Sequence, residues 1–238
     1  MNNAPTLDQV RASLPAEKRR ADTLWARLLI RELSFPVTWL FVRLGFTANA
    51  ATYFSIFVVV FAAFLFAQPN WPLSIAGAAL FIFFGILDCV DGNIARLARR
   101  PTRFGGWTDA VGGYIAYSAV FFALGFAAEA RPGILAEIFR HVNFLALGAW
   151  TAIANLLLRV QYQHFRHVEG AQEYATGRQR KLSQEVGIGG LLMPILLLAD
   201  VFGFLGLVLV GYAFYFTVGW AIVTIRLIMR AQSLENKA

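Results

Sequence analysis

The chain has 238 residues, of which 58% are hydrophobic and only 15% are charged, and its mean hydropathy is +0.58. A water-soluble domain of this size carries about a quarter charged residues, so the composition excludes ordinary soluble, disordered and disulfide-rich classes. The composition therefore predicts an all-α integral membrane protein.

Residues 1–46 precede the first apolar stretch that is long enough to cross a bilayer. Leu7, Val10 and Leu14 recur at helical spacing within a polar background, a pattern typical of helices that lie in the membrane interface. The apolar tract 35–46 is too short to cross. We therefore predict a cytoplasmic N-terminal segment of interfacial amphipathic helices.

Each helical crossing needs about 20 mostly apolar residues, and the rest of the chain offers six such stretches. They are 48–67, 73–95, 106–128, 141–160, 186–203 and 206–229. The last two are separated only by Asp200, Gly203 and Gly206. We predict a hairpin turn there, since a single helix of that length would be about twice the membrane thickness. This predicts a six-helix transmembrane domain at 47–230 and a cytoplasmic tail at 231–238.

The basic residues predict the orientation, because short cytoplasmic loops carry an excess of lysine and arginine. All of the 21 basic residues except Arg131 and Arg140 fall in the N-terminal segment, in or next to the loops after spans two and four, or near the C-terminus. Both termini should therefore be cytoplasmic. Topology explains the net charge of +7 without a nucleic-acid partner, and attraction to anionic membrane lipids is a secondary use.

Three aspartates fall at the predicted cytoplasmic ends of spans two and three: Asp88, Asp91 and Asp109. Carboxylates at membrane depth are costly, and they are functional candidates unless a partner neutralises them. Asp88 and Asp91 share one helix face, so their charges repel each other, and a divalent cation would relieve that repulsion. All-oxygen ligands favour Mg²⁺, Mn²⁺ or Ca²⁺ over zinc. The structural alternative is a set of buried ion pairs with Arg96 and Arg99.

Arginines follow the acidic residues along the chain. They are Arg96, Arg99, Arg100 and Arg103. A phosphate at this position would be bound by metal and guanidinium groups together. The combination predicts a phosphorylated, lipidic substrate at the boundary between membrane and cytosol.

The acidic residues belong to a longer motif. It reads Asp88-x-x-Asp91-Gly92-x-x-Ala95-Arg96, then eight residues, then Gly105-x-x-x-Asp109. This motif resembles the signature of the CDP-alcohol phosphotransferase family. The stretch from Thr47 to Thr52 is similar to the family's Pro-Asn-x-x-Thr element, with Ala48 in the place of proline. One position differs, because the family's fourth aspartate is Gly113 in this chain.

The resemblance implies transfer of a phosphatidyl or phosphoalkyl group from a CDP-alcohol, often CDP-diacylglycerol, to an alcohol acceptor. CMP is released, and the reaction belongs to phospholipid biosynthesis. The resemblance further implies that Asp88, Asp91 and Asp109 hold one or two Mg²⁺ or Mn²⁺ ions. It also implies a set of nucleotide-binding residues: Asn49, Thr52, Gly92, Ala95, Arg96 and Gly105.

Gly113 leaves the family's general-base position without a carboxylate, so we assign no catalytic residue. Loss of a general base typically costs about 10²–10⁴-fold in rate. This leaves a slow transferase, a CDP-alcohol-binding pseudoenzyme without turnover, or a related chemistry whose nucleophile needs little deprotonation. A membrane prenyltransferase is disfavoured, because the chain lacks a second aspartate-rich run.

The acceptor is expected to enter past residues 159–185. Arg159, Arg166 and Arg178 would hold a phosphate on the acceptor, although topology alone also explains basic residues at a cytoplasmic boundary. The sequence leaves a homodimer open.

Overall fold

A computed structural model describes residues 5–98, 103–134, 136–169 and 184–235. Within these ranges every regular element is a helix, and several of the helices are long and apolar enough to cross a membrane. The prediction of an all-α protein with membrane-length helices is therefore confirmed.

Short helices precede the first long apolar helix. They are α1 (Leu7–Ala12), α2 (Ala16–Ala21) and α3 (Arg31–Arg43), with a π-helical turn at Ala26–Ile30 before α3. Helix α1 packs on α3 through a small cluster formed by Val10, Leu14 and Phe35. Leu24 and Leu28 stay exposed. The N-terminal segment is helical, and its position in a membrane interface stays a prediction.

Six longer or more apolar helices follow in the described part of the chain. They are α4 (Ala48–Phe66), α5 (Trp71–Leu97), α6 (Arg103–Ala130), α7 (Phe144–Glu169), α8 (Leu192–Phe202) and α9 (Leu205–Glu235). Five of them satisfy the length and hydropathy needed to span a membrane, whereas α8 has only 11 residues. A helix of that length rises about 17 Å, well short of a bilayer core. Six spans are therefore not confirmed.

Residues 184–202 nevertheless run antiparallel to α5 along much of its length. Gly189 lines the same crevice as Asp88, near the end of α5. Asp200 accepts a hydrogen bond from Ser74, at the start of α5. The short helix α8 and the turns before it thus connect the two ends of the bundle.

Local chemistry explains where several helices begin and end. The Thr47 side chain accepts a hydrogen bond of 3.2 Å from the Ala50 N–H at the start of α4, and the Asn70 side chain accepts one of 3.2 Å from the Leu73 N–H at the start of α5. Such side chains satisfy backbone donors that lack a partner in the first turn. Helix α8 ends at Gly203, whose φ of +75° favours glycine. The predicted hairpin turn is confirmed at this residue.

Glycines bring α6 and α7 into backbone contact. A Cβ atom at Gly125 would lie 2.8 Å from the carbonyl oxygen of Phe144, and one at Gly148 would lie 2.7 Å from the carbonyl oxygen of Phe121. Small residues allow this close approach of membrane helices. Even alanine at either position would push the two helices apart.

The two ends of the bundle carry different polar groups. We call the end with Asp88, Asp91 and Asp109 the aspartate end and the opposite end, with Arg131 and Asp200, the far end. The cytoplasmic location of the aspartate end stays a prediction.

A buried ion pair joins four segments at the far end. Arg131 Nη2 lies 3.1 Å from Asp200 Oδ1, with side-chain exposures of 15% and 1%. The Ser74 hydroxyl donates to Asp200 Oδ2 at 2.5 Å, and Arg131 Nη1 donates to the Gln68 carbonyl at 2.9 Å. Asp200 is therefore fully partnered inside the protein.

Candidate active site at the aspartate end

Asp91 lies where α4, α5 and α6 meet. Its Oδ2 accepts a hydrogen bond of 2.7 Å from the Thr52 hydroxyl, and its Oδ1 accepts one of 2.5 Å from the Gly92 N–H. A Cβ atom at Gly112 of α6 would lie 3.7 Å from Thr52 Cγ2. The fold thus brings Thr52 and Asp91 into direct contact, although 39 positions separate them in the sequence.

Asp88 and Asp109 are exposed, whereas Asp91 is buried. The three charges are close enough to repel one another, since Asp88 interacts electrostatically with both Asp91 and Asp109. Within the described ranges, no salt bridge neutralises any of the three. Asp91 in particular differs from most buried carboxylates, which are paired with a cation.

The three carboxylates are neighbours but do not surround a single point. Among the residues that the structure describes, no three His, Cys, Asp or Glu side chains are placed to hold one metal ion. Asp91 is instead bonded to Thr52 and Gly92. The donor set still suits a hard divalent cation, because it is anionic, all-oxygen and free of salt bridges in this part of the chain. A shared cation at Asp88, Asp91 and Asp109 stays a prediction.

Arg96 folds back over Gly92 instead of pairing with an aspartate. Its Nη1 lies 3.3 Å from the position of a Cβ atom at Gly92, and its Nη2 donates a hydrogen bond to Asn93 Oδ1. The Nε of Arg96 is buried and has no hydrogen-bond partner among the described atoms. The ion-pair alternative is therefore wrong for Arg96, whose unfilled donor suits an anionic ligand. Arg99, the other arginine of that alternative, lies outside the described residues.

Asn93 is a site residue that the sequence analysis missed. Its amide donates to Ser34 Oγ at 3.2 Å and to Thr38 Oγ1 at 2.9 Å, both on α3, while its oxygen accepts from Arg96. Asn93 is fully buried, so it ties α3 to α5 and positions the Arg96 guanidinium. The available signal was an amide inside an apolar helix, since a buried amide needs hydrogen-bond partners.

Basic residues of the N-terminal segment lie next to the acidic cluster. The Lys18 ammonium interacts electrostatically with all three aspartates. Desolvation and the neighbouring charges of Arg96 and Arg31 lower the pKa of Lys18. Arg31 is held in place by hydrogen bonds of 2.8 and 3.0 Å to Asp22. This proximity does not follow from the sequence, because the docking of α2 on the bundle is a long-range contact.

The N-terminal segment is also anchored to the chain that precedes α8. The Thr23 hydroxyl donates to the Gly189 carbonyl at 2.6 Å, and the Leu24 N–H donates to the Glu185 carboxylate at 3.2 Å. We call residues 184–191 the anchor turn. It is fixed in turn to α6, because Tyr117 accepts a hydrogen bond of 2.8 Å from the Ile188 N–H.

One family model matches most of the chain. The family model described as CDP-alcohol phosphatidyltransferase matches residues 46–229, which include every element from α4 to most of α9. The chain belongs to the CDP-alcohol phosphatidyltransferase family. A search of curated proteins gives no match. The family acts on a CDP-alcohol and an alcohol acceptor in the membrane, and it generally uses divalent metals.

Gly113 is the position at which the sequence predicts a departure from the motif of this family. A Cβ atom there would lie 4.0 Å from Nη1 of Arg159 on α7. Arg159 lies over the Tyr117 ring, with Cζ 3.9 Å from the ring centroid, and its Nε donates to Asn155 Oδ1 at 3.2 Å. The place of the expected general base is therefore next to a positive charge.

A small crevice opens beside Asp88 in this family member. Its wall comes from the N-terminal segment, α5 and the anchor turn. The lining includes Trp25, Ala26, Gly85, Cys89, Ile188 and Gly189. The crevice thus places mainly apolar surface next to one carboxylate of the family motif.

The remaining predicted residues of the family site are less constrained by the structure. Asn49 and Ala95 are half-buried on α4 and α5, and Gly105 lies in the first turn of α6. Arg166 belongs to α7, but its side chain lies outside the described part, as does the whole of Arg178. The nucleotide and acceptor roles of these residues stay predictions.

Proposed function

We propose that this protein transfers the phosphatidyl group of CDP-diacylglycerol to an alcohol acceptor. The acceptor oxygen bonds to the phosphorus that carries the diacylglycerol. The bond from that phosphorus to the CMP phosphate oxygen breaks, and CMP leaves. The acceptor proton passes to solvent or to a substrate phosphate oxygen, because Gly113 cannot accept it. The product is a phosphodiester lipid.

One observation carries the proposal. Two helices bring Asp88, Asp91 and Asp109 to one end, where their charges repel one another and no salt bridge neutralises them in the described ranges. A fold tolerates such repulsion where a ligand relieves it, since an opposite charge favours the ionised carboxylates. Arg96 adds an unfilled donor beside them. Together these groups suit a divalent cation bound to a pyrophosphate.

A Mg²⁺ or Mn²⁺ ion held by the three aspartates would neutralise the pyrophosphate and stabilise the leaving CMP. The chain's own residues do the positioning. Thr52 orients the Asp91 carboxylate through its hydrogen bond, and Asn93 holds Arg96 towards Gly92. Arg96 is then placed to donate to a phosphate oxygen.

The rest of the nucleotide pocket is proposed from the family motif. It comprises Asn49, Thr52, Gly92, Ala95, Arg96 and Gly105. The apolar surface beside Asp88 would face the lipid portion of the donor, next to the pyrophosphate. We place the site on the cytoplasmic side, within a catalytic domain at 47–230, with the acceptor entering past 159–185.

A pseudoenzyme is the second candidate, and the surroundings of Gly113 favour it. The nearest side-chain atom to a Cβ at that position belongs to Arg159, a cation that cannot act as a base. Such a protein would bind CDP-diacylglycerol in a Mn²⁺-dependent manner and release no CMP.

The deciding experiment follows CMP release from CDP-diacylglycerol by the purified protein with Mn²⁺ and a panel of alcohol acceptors. Nucleotide binding is measured in parallel. We expect slow, Mn²⁺-dependent release with at least one acceptor. Binding without release under all conditions would leave the pseudoenzyme as the correct assignment.

A matched pair of variants controls this assay. Asp91→Asn removes one carboxylate at the aspartate end and is expected to abolish both Mn²⁺-dependent binding and release. Asp200→Asn makes the same chemical change at the far end and should preserve both, measured per folded molecule. Equal activity in the two variants would contradict the proposed site.

A further inference from the structure

The surroundings of Gly113 do not fit a second metal ion. Glycine supplies no side-chain oxygen, and the Arg159 guanidinium lies only 4.0 Å from the position of a Cβ atom there. Arginine keeps its charge at any physiological pH. A divalent cation at this position would therefore be repelled rather than coordinated.

Arg159 is fixed in this position by several contacts. Its guanidinium lies 3.9 Å over the Tyr117 ring, and its Nε donates to Asn155 at 3.2 Å. Tyr117 is itself held by the Ile188 N–H. Arg159 forms no salt bridge with any residue of the described ranges. Its remaining N–H donors are thus pre-oriented and available to an anion, and phosphate suits them well.

On the basis of the proposed function, we infer that Arg159 takes the place of a second metal ion. The protein binds one divalent cation per chain, at the three aspartates, and Arg159 neutralises phosphoryl oxygens on the Gly113 side. Asp109 and Gly113 are four residues apart and share one face of α6. The metal and the guanidinium would therefore lie along the same face of α6. This role is more specific than the acceptor-phosphate role predicted for Arg159.

The test measures how many Mn²⁺ ions the full chain binds, by equilibrium dialysis in detergent, with Mn²⁺ alone and with Mn²⁺ plus CMP. We expect one ion per wild-type chain. Gly113→Asp alone should also bind one, because the new carboxylate pairs with Arg159. Gly113→Asp combined with Arg159→Gln should bind two, because the carboxylate is then free to coordinate.

Two control variants separate charge from shape. Gly113→Asn with Arg159→Gln has the same size as the double variant without the new charge, and it should stay at one ion. Arg140→Gln removes a cation outside the site and should change neither the number of bound ions nor the KM.

Arg159→Gln alone tests the proposed phosphate contact. It should bind one ion but raise the KM for CDP-diacylglycerol about tenfold, as expected for the loss of a charge-assisted hydrogen bond.

Several results would overturn the inference. They are two ions in the wild type, two ions in Gly113→Asp alone, or one ion in the folded double variant. If the double variant fails to fold, the wild-type and single-variant counts still decide. A folded wild-type chain that binds no Mn²⁺ in either condition would overturn the proposed function itself, which distinguishes that failure from the failure of the Arg159 assignment.

Discussion

The aspartates at the two ends of the bundle have opposite surroundings. At the far end, Asp200 is 1% exposed, bonded to Ser74 and paired with Arg131 at 3.1 Å. At the aspartate end, Asp88 and Asp109 are exposed and repel each other, with no salt bridge in the described part of the chain.

The difference separates structural carboxylates from those kept for a ligand. A carboxylate that serves packing is neutralised by the protein itself, as Asp200 is. Carboxylates that serve chemistry are left in mutual repulsion, which lowers stability until a cation binds. Substitutions at the aspartate end should therefore lower activity without lowering stability, whereas substitutions at the far end should lower stability without lowering activity. The following variants test that contrast.

The largest effect is expected for Asp109→Asn. This change should lower CMP release on the order of 10³-fold, because a bound metal supplies several kcal/mol of charge stabilisation. Without added metal, the thermal unfolding temperature should stay the same or rise, since one repelling charge is removed. The contrast between the two ends would be contradicted if Asp109→Asn kept its CMP release or if its metal-free form became markedly less stable than the wild type.

The next effect is expected at the far end. Arg131→Met should lower the free energy of unfolding by about 3 kcal/mol, because it leaves Asp200 buried without its partner. CMP release per folded molecule should not change. Adding Asp200→Leu to Arg131→Met should recover most of the lost stability, as apolar replacements of buried pairs often do. Failure of this rescue, measured by denaturant unfolding in detergent, would contradict the assignment of the pair as structural.

A smaller effect is expected for Asn93→Ala, which removes the acceptor that positions Arg96. The KM for CDP-diacylglycerol should rise about tenfold with a lesser change in kcat, in line with the loss of a hydrogen bond to a charged group. Thr38→Val is the matched control. It removes a partner of Asn93 on α3 but leaves the Arg96 contact, so it should reduce stability and leave KM unchanged. A KM increase in both variants would indicate a merely structural role for Asn93.

The smallest effect is expected for Glu32→Gln. Glu32 pairs with Arg19 at 2.5 Å, but the two side chains are 39% and 53% exposed. Such surface pairs contribute less than about 1 kcal/mol. Neither the unfolding temperature nor the number of bound Mn²⁺ ions should change measurably, so this carboxylate belongs to neither class.

The sequence predicts local features of this protein better than contacts between distant segments. The apolar stretches and the Gly203 turn follow from composition and glycine chemistry, which act over a few residues. The motif likewise identifies Asp88, Asp91 and Asp109, because its spacing is local to two helices. The length of α8 is harder to predict, since the apolar tract begins before the helix does and residues 186–191 form turns.

The contacts that position the site could not be predicted from the sequence. Arg159 and Gly113 are 46 positions apart, and only the packing of α6 on α7 places them together. The same holds for Asn93 and α3, which meet across more than 50 residues. Helical periodicity shows which face of a helix is apolar, but it does not show which partner that face contacts.

The hydrogen bond from Thr23 to Gly189 joins residues that are 166 positions apart, and this separation has a consequence for biosynthesis. Contacts between neighbouring helices can form as the chain leaves the ribosome, whereas this bond must wait until most of the protein has been made. The anchor of the N-terminal segment on residues 184–191 therefore forms late, after the helices that carry the aspartates have been made. A nascent chain that stops before residue 184 would hold the whole acidic motif and still lack the anchor that closes the site.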